Sequence, residues 1–254
     1  MLLLNTLKIQ EKINENNPNS SSFVFRYLPP TMGLTVGNYL RRTLLSAIKG
    51  VAIIGVQISD KNGSVTNKFT TLTGVLETTP YLILNLKKLI LQKKSEKEGI
   101  FCLELNIENK AKEERVILAS DFLKSEEIEI VNPELELATL ATGSSKQGNP
   151  KLAIKLYCRE SQGYHPVAKQ KKECEEYFRQ AEIENIIILD TDYSPITGNG
   201  VNFQVNSVVT GIEEEQEELV LTITTTGAIP PQKALKEALE AINQMNNTIQ
   251  KSLK

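Results

Sequence analysis

The chain has 254 residues, 40% of them hydrophobic and 24% charged, with a formal net charge of −2. Such a composition can bury a real core, which excludes global disorder. The slight negative charge excludes a protein that blankets a phosphate backbone, a task that needs a basic excess. At this length two modest domains are expected, because a single core stops growing as a chain lengthens.

The three cysteines, Cys102, Cys158 and Cys174, are odd in number and lack C-x-x-C spacing, so neither a disulfide framework nor a zinc site is expected. A reducing compartment fits them. No apolar run approaches the roughly 20 residues of a membrane helix, and the opening Met1 to Leu4 is too short for a signal peptide. Asn, Lys and Ile are frequent, as in proteins of AT-rich genomes. That composition hints at an organelle or a reduced bacterium; a plastid is the expected compartment, with the bacterial cytoplasm as the alternative.

In chain order, a polar segment at 14–22 separates a short amphipathic start from a helix expected over 35–49, with Thr35 as N-cap and Gly50 as C-cap. Val36, Leu40, Leu44, Leu45 and Ile48 form its apolar stripe. Arg41 and Arg42 lie to the side, about 100° apart around the axis. Gly37 is an interior glycine, which costs about 0.5–1 kcal/mol relative to alanine and implies close backbone approach.

Period-two alternation marks four strands: Phe101, Leu103, Leu105 and Ile107; Leu152, Ile154, Leu156 and Cys158; Val201, Phe203 and Val205; and Leu219, Leu221 and Ile223. The last two runs flank an acidic stretch at 213–218 and are expected to pair antiparallel. Residues 143–150 form a turn-rich, exposed loop. A final helix begins near Pro231 and carries Leu235, Ala238, Leu239, Ile242, Met245 and Ile249 on one face, which must pack on the body or on another chain.

Several features have plain structural readings. His165 sits in a turn-like Gly163-Tyr164-His165-Pro166 context without metal-ligand spacing, and Asp190 and Asp192 precede Ser194-Pro195 as turn formers. Gly198-Asn199-Gly200 lacks the spacing of a phosphate loop and reads as a turn. The mixed-sign charge runs read as solvated faces. A small-molecule enzyme would need convergent polar groups in a pocket, for which nothing at spacing speaks.

The stretch FVFRYLPPTMGLTVGNYLRRTLLSAIKGVAI from Phe23, followed by GVLETTPYLILNLKKL from Gly74, resembles the N-terminal domain of the alpha subunits of bacterial-type and plastid DNA-directed RNA polymerases. Its specific core is Gly37-Asn38-x-Leu40-Arg41-Arg42-x-Leu44-Leu45-Ser46. Further matches follow in the same order: Gly163-Tyr164-x-Pro166, Asp192-Tyr193-Ser194-Pro195, and Thr226-Gly227-x-Ile229-x-Pro231. The blocks cover roughly half the chain. Two departures fall in the middle of the sequence: residues 61–68 replace a usual His-Glu pair, and Glu77-Thr78 stands where Glu-Asp is usual.

The resemblance implies an α+β fold in which a mixed sheet and two dimerisation helices are interrupted by a second, β-rich domain. The expected division is 1–57 with 180–254 for dimerisation and 58–179 for the inserted domain, without the helical C-terminal DNA-binding domain of many relatives. It implies a homodimer through Val36, Leu40, Leu44, Leu235, Leu239 and Ile242. It places Arg41, Arg42 and Leu45, with Asn85 and Lys87 as a second contact, against the large beta and beta-prime type subunits. The role implied is a non-catalytic platform that nucleates assembly of a nucleotidyltransferase complex for transcription. Such a chain binds no cofactor, leaves the catalytic magnesium to its partners, and meets DNA only through the complex. The rival reading is an interaction scaffold outside transcription.

Overall fold

In the computed structural model, residues 7–65, 67, 69–143, 148–210 and 214–253 are described. The opening Met1 to Leu4, Thr66 and Lys68 of the loop at 61–68, residues 144–147 of the turn-rich loop, and Glu213 of the acidic stretch therefore lie outside the described residues. The chain begins with β1 (Lys8–Ile13), β2 (Ser20–Leu28), α1 (Met32–Ser46), β3 (Lys49–Asp60), β4 (Gly63–Val65), α2 (Thr79–Leu86), β5 (Leu91–Lys93) and β6 (Ile100–Glu108). It continues through β7 (Arg115–Leu118), a 3-10 turn (Ala119–Asp121), β8 (Ile128–Ile130), β9 (Glu136–Leu140), β10 (Lys151–Gln162), β11 (Tyr164–His165) and α3 (Val167–Gln180). The last elements are β12 (Ile187–Ile188), β13 (Thr191–Asp192), β14 (Ile196–Thr210), β15 (Glu214–Thr225) and α4 (Pro231–Ser252). They divide into two compact units, Met1–Lys49 with Ser194–Lys254, and Gly50–Tyr193.

The discontinuous unit carries a four-stranded sheet in the order β1-β2-β15-β14. All its pairings are antiparallel, where the resemblance leads one to expect a mixed sheet. The short connection from β1 to β2 fits this, since parallel neighbours would need a long crossover. The alternating runs pair face to face as expected, with Val201 opposite Ile223, Phe203 opposite Leu221 and Val205 opposite Leu219. Phe23 and Phe25 of β2 extend that apolar face, which is covered by α1 and α4 to form one core with Leu40, Leu44, Ile48, Leu235 and Ala238.

The segment at 14–22 is only partly a separator, because Ser20 to Ser22 already belong to β2. Ser20 and Ser22 lie on the sheet's other face, whereas Ser21 shares the face of Phe23 and pairs with Ile223. Ser20 Oγ lies 2.9 Å from Thr224 Oγ1 and Ser22 Oγ 2.9 Å from Thr222 Oγ1, a cross-strand hydroxyl ladder that period-two reasoning on apolar residues does not register.

The continuous unit is built on a seven-stranded sheet whose path is β6-β10-β3-β5-β8, with β4 and β12 also pairing β3. Leu103, Leu105 and Ile107 of β6 and Leu152, Ile154, Leu156 and Cys158 of β10 face its main core together with Leu82 and Leu86 of α2. A second cluster of Ile54, Tyr157, Cys174, Phe178 and Tyr193 seats α3. His165 is buried in this unit, its ring edge-on to Tyr193 with centroids 5.1 Å apart. Lys169 Nζ lies 2.8 Å from His165 Nε2. An ammonium can only donate, so Nε2 accepts, while Nδ1 has both Glu173 at 3.4 Å and Arg159 Nη2 at 3.5 Å beside it. This is a structural histidine, and Asp192 is a strand residue opposite Tyr164 rather than a turn former.

Candidate assembly surface

The helix that bears the signature motif starts at Met32 and ends at Ser46, with Thr31 and Ala47 as its caps in place of Thr35 and Gly50. Thr31 is left-handed (φ 69) and makes no side-chain cap. The cap comes instead from Glu217 of β15, whose carboxylate accepts from Thr31 N at 2.9 Å and Gly33 N at 2.7 Å. A carboxylate satisfies two orphan donors there and complements the positive end of the helix dipole. Local sequence rules look for caps within a few residues, and this one lies 184 positions from Gly33.

A bulge brings that carboxylate to the helix. Leu28 pairs with Glu217 and Phe25 with Leu219, so β2 carries one extra residue between them, and Tyr27 takes the left-handed conformation (φ 67). Glu217 thereby shares the helix-covered face with Leu219 and Leu221, while Arg26 pairs with Glu218 at 3.0 Å on the opposite face. The helix then lies close on the hairpin. A Cβ at Gly33 would stand 2.7 Å from Val205 Cγ1, and one at Gly37 would stand 2.5 Å from the Phe203 ring. The interior glycine thus has the close approach its cost implies.

Six residues were expected at a dimer interface, and the structure separates them. Leu40, Leu44 and Leu235 are buried in the unit's own core, and Val36 and Ile242 pack partly against it. Leu239 is 42% exposed. It is accompanied by residues the sequence reading left out or used only as pattern: Leu34 on α1, and Met245 and Ile249 on α4, each 47% exposed or more. From Asn243 to Ser252 every residue of α4 is exposed, so its second half is not covered by its own unit. Leu34 was legible only as an apolar residue near a helix start; its exposure comes from the earlier start of α1.

Arg41 and Arg42 are both exposed, and neither guanidinium has a hydrogen-bond or ion-pair partner among the described residues. Leu45 is half-buried against the core beside them. Asn85 and Lys87 belong to the continuous unit and are already engaged. Asn85 Nδ2 donates to Leu137 O at 3.0 Å and ties α2 to β9, and its Oδ1 accepts from Lys88 Nζ at 3.0 Å. Lys87 Nζ lies 2.9 Å from Asp190 Oδ1 and, as donor to it, holds that carboxyl below the usual aspartate range. Among the described residues no cluster of His, Cys, Asp or Glu has the form of a metal site, and no helix is long and apolar enough to cross a membrane.

Comparison with known proteins bears on these surfaces. Residues 30–245 match the RNA polymerase Rpb3/Rpb11 dimerisation domain family. The DNA-directed RNA polymerase subunit alpha of Carboxydothermus hydrogenoformans is 31% identical over 94% of this chain and 67% of its own length. That of Desulforamulus reducens is 30% identical over 96% of the chain and 70% of the relative. That of Leuconostoc mesenteroides is 33% identical over 87% of the chain and 63% of the relative. All three relatives are bacterial, and the match spans the discontinuous unit together with the segment inserted into it. The chain belongs to the alpha-subunit family of DNA-directed RNA polymerases and carries the Rpb3/Rpb11 type of dimerisation domain.

Proposed function

We propose that this chain homodimerises through α1 and the uncovered half of α4 and offers Arg41, Arg42 and Leu45 to the large beta and beta-prime type subunits of a polymerase. The observation that carries the reading is the coexistence, on one unit, of an uncovered apolar stripe and, on the motif helix, two arginines without a partner among the described residues. Leu34, Leu239, Met245 and Ile249 are the stripe's exposed members. A self-complementary apolar stripe suits a two-fold interface. Planar, permanently charged guanidinium groups suit carboxylates or carbonyls on a partner.

In this reading the discontinuous domain, 1–57 with 180–254, dimerises, and the inserted domain, 58–179, adds a second contact near Asn85 and Lys87. Their internal bonds leave them a positioning role for α2 as well as a contact role. The dimer buries its stripe in an interface on the order of 2,000 Å² or more, as obligate dimers do. The chain is not itself a catalyst and holds no cofactor; catalysis and its magnesium belong to the large subunits, and DNA is met through them. A plastid origin rests on composition alone, beside relatives that are bacterial.

The test is reconstitution of the dimer with the large subunits of the same polymerase. Arg42→Ala should abolish or strongly weaken their capture while leaving the dimer intact. Undiminished capture by that variant would remove Arg42 from the surface.

A further inference from the structure

We infer that Glu217 is the positioning residue of this surface: its carboxylate fixes the axial setting of α1 on the β14–β15 hairpin, and through it the single arrangement in which Arg41 and Arg42 are displayed. The inference rests on the assembly role proposed for those arginines and adds the element that orients them.

The geometry has three parts. First, α1 has no cap of its own, since Thr31 is left-handed and makes no side-chain bond, and no acidic residue occupies its first turn. The Glu217 oxygens on Thr31 N and Gly33 N are therefore what restrains the helix start. A charge-assisted bond to two amides that point along the axis resists sliding of the helix along that axis.

Second, rotation about the axis is set by the glycine edge. Gly33 and Gly37, one turn apart, let Val205 and Phe203 press against the helix backbone, so the helix cannot roll without driving a side chain into the sheet. Third, the approach to the helix is stiff. Tyr27 and Thr31 are both left-handed, and Pro29 and Pro30 stand between them with restricted backbones. Bulge, prolines and carboxylate together define where α1 begins. Arg41 and Arg42 lie two turns further along the same rigid helix, where a small shift at the start is carried undiminished.

The side chain bridges two segments that are far apart in sequence. A merely structural cap would stabilise the helix and nothing more. A positioning residue acts through the arginines, so its removal and theirs must be coupled.

The experiment is a double-mutant cycle on the whole dimer. Wild type, Glu217→Ala, Arg42→Ala and the double variant are compared for affinity to the reconstituted large subunits. Amide hydrogen exchange over 31–37, circular dichroism and sedimentation report the clamp, the fold and the dimer. Glu217→Ala is expected to speed exchange at Thr31 and Gly33, to keep the dimer, and to weaken capture on the order of tenfold. The double variant should be little weaker than Arg42→Ala alone. Additive losses would overturn the positioning role, as would a Glu217→Ala variant that opens the clamp without loss of capture. If Glu217→Ala does not fold, Glu217→Gln, which keeps one acceptor oxygen, completes the cycle with the same two criteria. A harmless Arg42→Ala would instead bring down the assembly surface itself, and the positioning role with it.

Discussion

The ring of Phe203 lies against Gly37 so closely that a methyl group there would stand 2.5 Å from ring carbon Cδ2. One relationship thus links a motif glycine to a strand residue of the hairpin and explains why a poor helix former occupies the middle of α1. Gly37→Ala would force the helix off the sheet or the ring out of its place. Such overpacking costs about 1–3 kcal/mol. Thermal unfolding of Gly37→Ala should show a fall of several degrees, and pairing it with Phe203→Ala should recover part of the loss. A variant as stable as wild type would mean that the ring is free to move.

The uncovered stripe on α4 should respond to charge. Leu239 is 42% exposed, so Leu239→Asp costs the isolated fold little. In a dimer interface the same carboxylate is desolvated without a partner, which should raise the dissociation constant by roughly a hundredfold or more. Sedimentation across a concentration series reads this. Wild type should show no folded monomer at micromolar concentration, and an unaltered dimer in Leu239→Asp would move the interface elsewhere.

Lys87 and Asp190 give a pH signature. The ammonium donates to the carboxylate at 2.9 Å and lowers its pKa from the ordinary 3.8. A depressed folded pKa contributes stability above the unfolded value and loses it as pH falls through the folded one, so this pair stabilises the fold fully above about pH 4 and its contribution fades below that. Both side chains are partly solvated, which keeps the contribution small. NMR titration should place the Asp190 carboxyl below the usual range in wild type and return it toward 3.8 in Lys87→Ala. An unchanged titration in that variant would mean the pair does not form in solution.

The cysteines should divide by burial. Cys102 is exposed, whereas Cys158 and Cys174 are buried, and burial pushes all three thiols upward. A thiol reagent at neutral pH should label Cys102 slowly in the folded protein, and the other two only after denaturation. Rapid labelling of Cys158 would require the core that β6 and β10 cover to open.

The elements that were legible in the sequence are those whose signal is local. Alternation in Val201–Val205 and Leu219–Ile223 anticipated both the strands and their pairing, and Pro231 marked the start of α4. The start of α1 was misplaced by three residues, because its cap is a side chain from the far end of the chain. β2 was not anticipated, and the segment at 14–22 stood only as a polar separator, because Ser20 and Ser22 find their partners across a strand rather than in an apolar pattern. The arginines stood out through the motif, but periodicity alone does not say which leucines of the stripe face inward. Leu40 and Leu44 serve their own core, whereas Leu34, Leu239 and Ile249 are exposed.

The claim that this chain is a dimeric platform for the large polymerase subunits is tested most directly by the native mass of what it forms. The tagged chain would be purified from its source under mild conditions and the intact assembly weighed. A pair of these chains joined to one of each large subunit is expected. Recovery of the chain as a dimer without them, or as a folded monomer, would contradict it.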